Sequence, residues 1–307
     1  MLLLRSSTQR VCTCCLLIVP LLLNQEVGEL SAQVRLRWKF RAGQQLQLRI
    51  SQQATTTTSV NNRPLAITSA LEMDVDWTVG KLTPRGGAEV TQQFSRLAIK
   101  FQAPEAEPVE YDSQRDKNPT GQLLRIANRI QPLLDSPFRV NVGDRGQIRE
   151  VLSGPVTTQT VDSPRLKRFI SAEQLANVLR QSNLLLPEMP VAMGDSWETD
   201  SVQVSPLGKV KLTTVYTYKG TQQRGGRETA LIVLKTTLEQ AKASAESSDK
   251  AGRLTQHIQA GEIYFDVEAG YLKSSQVRQK RTTEKLYRGQ RIETVDQSST
   301  TLQITVL

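Results

Sequence analysis

The sequence predicts a mainly β, α+β protein: two duplicated, curved antiparallel sheets with one or two packed helices. Three observations carry that prediction. Apolar and polar side chains alternate with period two along much of the chain, glycines punctuate the alternation where hairpins need to turn, and one set of short motifs recurs in the same order in both halves.

The alternation begins at Val34, where Val34, Leu36, Trp38 and Phe40 interleave with Arg35, Arg37, Lys39 and Arg41. One buried face and one wet face follow from that spacing. After Ala42-Gly43 it resumes with Leu46, Leu48 and Ile50, then passes into the β-branched run Thr55–Thr58. Further strands are expected over 70–79, 88–101, 138–142, 209–218, 229–238, 262–267 and 271–279, and at the alternating C-terminus Leu302, Ile304 and Val306. Leu231–Leu234 is apolar without alternation, the habit of a strand covered on both faces. Gly86-Gly87, Gly225-Gly226 and Gly289 mark hairpin turns.

Helix signals occupy the middle of the chain. Ser171 is an N-cap candidate, and Leu175, Val178 and Leu179 fall at helical spacing before Pro187, predicting a helix over 171–184. A second helix over 121–131 carries Leu123, Leu124, Ile126, Ala127 and Ile130 and is expected to stop at Pro132. The polar stretch between Gln240 and Gln259 reads as a loop or a short exposed helix.

The recurrence concerns three motifs. Trp77-Thr78-Val79 with Arg85-Gly86-Gly87 returns as Tyr216-Thr217-Tyr218 with Arg224-Gly225-Gly226; Gly43-Gln44-Gln45-Leu46 returns as Gly194-Asp195-Ser196-Trp197; and Val142–Ile148 around Gly146 returns as Val267–Leu272 around Gly270. A duplicated β-unit explains three ordered echoes better than chance does. The chain then divides into residues 33–187 and 188–307.

Residues 1–32 read as a signal peptide: Arg5 and Arg10 precede an apolar run, Val11–Leu23, shorter than the roughly 20 residues a bilayer span needs, and Leu30-Ser31-Ala32 offers a cleavage site. The mature chain is therefore expected to be exported, periplasmic or extracellular, and not membrane-spanning. Cys12, Cys14 and Cys15 all fall inside the removed segment, so the folded part carries no thiol and relies on its core. Its cleavage removes two basic residues and two acidic ones (Glu26 and Glu29), so the net charge of +9 belongs to the folded part.

The pattern Lys39-Phe40-x-x-Gly43, a long β-meander, Phe138-Arg139-Val140-x-Val142-x-x-x-Gly146 and Leu186-Pro187 leading into Met193-Gly194-Asp195-Ser196-Trp197 resembles a family of uncharacterised bacterial secreted proteins, a domain of unknown function. The resemblance spans most of residues 34–306. It implies a β-rich extracytoplasmic domain and transfers no catalytic or binding residue.

Reactive constellations are sparse. His257 is the one histidine, too few for a zinc set, and no calcium loop or glycine-rich phosphate loop is present, so no metal and no cofactor are expected. Gly194-Asp195-Ser196 invites a serine-hydrolase reading, but position 254, three before His257, is Leu254, and the block has its counterpart at Gly43, which favours a strand-initiating turn. The protein is expected not to be an enzyme; a hydrolase using carboxylates alone stays open because such pairs meet in space, not in spacing. Few aromatic residues leave little for nucleic acid to stack on, so none is expected as a partner.

Two binding readings remain. The favoured one is a non-catalytic module that holds a lipid or other amphiphile between sheet and helix, with Leu175, Val178 and Leu179 lining the site. The alternative is an envelope-interaction or structural protein acting through a basic surface on an anionic envelope polymer. For either, the candidate anion contacts are Arg278, Lys280, Lys285 and Arg288, with Arg278 and Lys280 expected on one face of a hairpin turning at Gly289.

Overall fold

The computed structural model describes residues 33–60, 63–153, 185–205, 208–240, 252–287 and 289–307. They form β1 (Gln45–Val60), β2 (Arg63–Leu82), β3 (Ala88–Gln102), β4 (Val109–Asp112), α1 (Gly121–Asp135), β5 (Phe138–Val142), β6 (Ile148–Ser153), β7 (Ser196–Ser205), β8 (Gly208–Arg224), β9 (Arg227–Gln240), β10 (Arg253–Asp266), β11 (Tyr271–Tyr287) and β12 (Gln290–Val306). The mainly β, antiparallel class is as expected. The strands make one open sheet, however, in the order β6-β5-β3-β2-β1-β12-β11-β10-β9-β8-β7, with β4 beside β3. β1 and β12 pair from Leu46↔Val306 to Val60↔Ile292, so what would be two edges are joined. Sequence motifs define meanders but not which edges meet; here the N–H and C=O groups of β1 find their partners on β12.

The recurrent motifs occupy matching positions in the two meanders. Gly43, at φ +77°, donates its N–H to Val79 O at 2.8 Å, and Val79 donates back to Gln44 O at 2.9 Å; Gly194, at φ +97°, donates to Tyr218 O at 2.8 Å, and Tyr218 donates to Asp195 O at 2.9 Å. Leu46 then pairs with Trp77 and Trp197 with Tyr216, and a register shift follows Val79 in one hairpin and Tyr218 in the other. For the third motif the sequence alignment needs correcting. Leu272, the counterpart of Ile148, pairs with Phe265 and not with Val267, and one further pair, Asp266↔Tyr271, closes the Gly270 turn.

One face of this sheet carries the core, with Leu46, Leu48, Val75, Trp77, Val90, Phe94, Ile232, Ile263, Phe265, Leu302 and Ile304 all buried. Its curvature can be read from one side chain. Trp38 lies 6.1 Å from Trp77 on β2 and 6.1 Å from Phe265 on β10, ring centre to ring centre. Those strands are four spacings apart, about 19 Å along a flat sheet, so the core face wraps around residues 34–41. That segment alternates as its sequence predicts, with Leu36 at 0% and Trp38 at 7% exposure. It is nevertheless extended chain, not a strand of the sheet. Its backbone groups pair one at a time with loops: Val34 with Val191, Trp38 N–H with Asp144 O at 2.7 Å, and Lys39 N–H with Gly270 O at 2.8 Å. Alternation reports two unlike environments, and a buried connector meets that condition without a ladder.

Three further departures have local causes. α1 runs past the expected stop at Pro132 to Asp135, one turn in which proline leaves the Asn128 carbonyl without its donor and the helix is bent. Leu231–Leu234 alternates in burial after all, with Ile232 and Leu234 buried and Leu231 and Val233 half-buried. β4 and β6 were not expected as strands, and β7 was expected only through the turn that initiates it; β4 has only four residues in which to show a period. The helix predicted over 171–184 and the signal segment 1–32 lie outside the described residues.

β4 is fastened to the sheet by charge. The Arg96 guanidinium bonds Asp112 at 2.8 Å and Glu72 at 2.8 Å, joining β3 to β4 and β2. The Arg96 hydrogen bond, above all else, holds the Asp112 carboxyl below the usual carboxylate range. A depressed folded-state pKa stabilises the fold above the unfolded value of about 4 and ceases to do so as pH falls through the folded value. Asp112→Asn is therefore expected to cost about 1–3 kcal/mol at neutral pH and to flatten the loss of stability with acid, as measured by urea unfolding at pH 7 and below pH 4.

Candidate functional site

The opposite face of the sheet carries the candidate site, and cross-strand register builds it. One rank of directly paired residues reads Lys100, Ala70, Gln53, Ser299, Arg278 and Ala260 across β3, β2, β1, β12, β11 and β10. The next rank reads Thr68, Thr55, Gln297, Lys280 and Ile258. Together they line an open trough of about 640 Å³. A strongly twisted sheet is saddle-shaped, concave on one face along one diagonal and on the other face along the other. The core lies against one face of the sheet and the trough opens on the other.

The lining joins two chemistries. Ala70, Ala260, the threonine methyls and Ile258, which is 54% exposed, present apolar surface. Arg278 and Lys280 rise from adjacent ranks beside it, and neither has an acidic partner among the described residues. Lys100, on the far wall, pairs with Glu110 and holds its carboxyl below the usual range. An anionic head group fits the Arg278 and Lys280 side, and an apolar body fits the floor.

The predicted contacts separate accordingly. Arg278 and Lys280 share one face, as expected. Lys285 falls on the other face, with Arg281, whose guanidinium is engaged by Asp296 at 2.6 Å. Arg288, Leu175, Val178 and Leu179 lie outside the described residues. The helix that is described, α1, packs Ala127 and Ile130 on Leu97 and Tyr111 in a satellite core and lines none of the trough. Gln53, Thr55, Ala70, Lys100, Ala260 and Ile258 were missed. Only strand order brings them together, and no local spacing announces it.

Residues with reactive side chains are committed elsewhere. Ser196 Oγ lies 2.9 Å from Thr217 Oγ1, and Asp195 Oδ2 accepts the Ala192 N–H at 2.8 Å, which makes Gly194-Asp195-Ser196 a turn at the start of β7. The buried carboxylates Asp74 and Asp266 pair with Arg49 at 2.7 Å and Arg227 at 3.4 Å. His257 is half-buried within β10, 3.2 Å from the Gln279 amide, and burial and then Arg281 push its pKa down, towards the neutral ring. Among the described residues no group of His, Cys, Asp and Glu could hold a metal ion, and no helix is long and apolar enough to cross a membrane. A second hollow of about 800 Å³, at the Gly226 and Glu268 end, has Arg227 engaged by Asp266 and Lys273 by the Arg224 carbonyl, with Arg41 beside them.

Fold and site thus define a large open antiparallel sheet with a basic-walled trough on its outer face. The profile of a family of unknown function, DUF6263, matches residues 85–270, more than half of the sequence, and the chain belongs to that family. Among solved structures, one of lipovitellin, described as concerning lipid–protein interactions in that protein, is similar over 87% of this chain and 25% of its own, with a TM-score of 0.51 and 15% identity. The chain spans about a quarter of that protein's length, and at this identity the likeness is one of fold. No curated protein matches the sequence.

Proposed function

We propose that this is a non-catalytic, extracytoplasmic protein that holds an anionic amphiphile in the trough on the outer face of its sheet. The observation that carries the reading is the meeting, in one cavity of about 640 Å³, of two cations without acidic partners among the described residues and a floor of alanine, threonine and isoleucine. The net charge of +9 favours an anionic head group over a neutral one. The sheet's likeness to lipovitellin, whose description names lipid, supports the same reading. The non-catalytic part rests on the engagement of Ser196, Asp74, Asp266 and His257 in turns, ion pairs and strand contacts. Export rests on the N-terminal sequence.

Native mass spectrometry of the purified protein tests this, with solvent extraction to identify what is released. Wild-type protein is expected to retain an anionic amphiphile. Arg278→Glu with Lys280→Glu is expected to reduce that retention at least about tenfold, at roughly 1 kcal/mol per cation near anionic lipid, with the circular dichroism spectrum unchanged. Protein that carries no amphiphile, yet is held by anionic polymer in a salt-sensitive way, would instead favour the basic-surface reading.

A further inference from the structure

The β1–β2 and β11–β12 hairpins run side by side beyond the core, and their ends combine features that neither the core nor the trough requires. β1 and β12 stay paired to Val60↔Ile292, so the two ends lie next to each other. Val60, Leu65, Ile67 and Leu286 are exposed there at 36, 52, 39 and 59%. Across the outermost rank the directly paired residues read Arg63, Val60, Ile292 and Lys285, two apolar side chains between two cations. Neither Arg63 nor Lys285 has an acidic partner among the described residues, whereas Arg291, on the other face, is paired with Glu284.

We propose that these paired hairpin ends dock on an anionic lipid bilayer, with Val60, Leu65, Ile67 and Leu286 entering the interface and Arg63 and Lys285 meeting head-group phosphates. Exposed apolar residues gathered at one end of a molecule and rimmed by cations are the composition of an interfacial anchor. Strand addition by another chain fits poorly. The hairpin ladders are closed through Val60↔Arg63 and Tyr287↔Gln290, and the short outer edge of β2 beyond Thr68↔Gln102 contains Pro64, which brings no N–H to an incoming strand. A second copy would set Arg63 and Lys285 against their own kind. Thr55 of the trough is five residues from Val60, about 17 Å along the strand, so docking by this end places the trough near the membrane surface. The docking itself does not depend on what the trough holds.

Co-flotation of the purified protein with vesicles tests it, using phosphatidylcholine alone and phosphatidylcholine mixed with phosphatidylglycerol. A retained Val11–Leu23 segment would bind both kinds alike, so the readout is the excess binding to the anionic vesicles. That excess is expected to fall at least about tenfold for Arg63→Glu with Lys285→Glu, and comparably for Leu65→Asp with Ile67→Asp. Met189→Asp, at an exposed methionine outside this end, is expected to leave it unchanged, and Leu286→Ser serves as a milder substitution if the paired ones do not fold. Arg278→Glu with Lys280→Glu is expected to lose the amphiphile while keeping vesicle binding, which separates this proposal from the trough reading. Equal binding to both vesicle types, or hairpin-end variants that float as wild type does, would overturn it, as would loss of a dimer in place of loss of vesicle binding.

Discussion

Replacing Trp38 with alanine is expected to lower the unfolding free energy by about 3–5 kcal/mol, the range for removing a buried large aromatic. The indole stacks on Phe40 at 5.6 Å, lies tilted against Trp77 and meets the edge of Phe265, so a single side chain spans strands from both meanders. Its backbone N–H is also tied to Asp144 O, in the β5–β6 turn. The alanine variant opens a cavity between β2 and β10, and no neighbouring side chain is free to fill it, since Leu36, Trp77 and Phe265 are each almost fully buried. Guanidinium unfolding followed by circular dichroism measures the loss. A cost below about 1 kcal/mol would mean that the sheet holds its curvature without the segment.

The second large effect is expected at Gly270. At φ +72°, a β-carbon there would run into Cβ and Cγ of Lys39 and lie 2.7 Å from its backbone nitrogen, whose N–H donates to the Gly270 carbonyl. Gly270→Ala thus combines a left-handed backbone cost of about 1–2 kcal/mol with overpacking of about 1–3 kcal/mol, and it pushes away the segment that carries Trp38. Gly43 is the control: its φ is +77°, but nothing lies within 4 Å of where a β-carbon would sit. Gly43→Ala is expected to show the backbone cost alone. Thermal melts of the two variants side by side measure the difference, and equal shifts would remove the steric part of the argument.

What the sequence disclosed follows from the range of its signals. Phe138–Val142 was read with its observed bounds because a five-residue alternation between a proline-bearing turn and a glycine turn is a local pattern. The turns at Gly86-Gly87, Gly225-Gly226 and Gly289 were legible because a positive φ selects glycine. The pairing of β1 with β12 was not, since Leu46 and Val306 are joined by hydrogen bonds that any alternating strand could make. Residues 34–41 look like a strand to any periodicity argument, and only the position of Trp38 between Trp77 and Phe265 reveals a connector. The candidate site was half legible. Arg278 and Lys280 shared a face on spacing alone, but Lys100 and Gln53 join them only through the order β3-β2-β1-β12-β11.

The proposed ligand site lies on the outer face of the sheet, over β1, β12 and β11, and not under a helix. Photo-crosslinking with a fatty acid bearing a photoreactive group in its acyl chain, followed by peptide mapping, tests it most directly. Labelled peptides containing Gln53–Thr55, Ile258–Ala260 and Arg278–Lys280 are expected, with competition by unlabelled anionic amphiphile. Labelling concentrated on α1, or on the core-facing residues around Trp38, would contradict it.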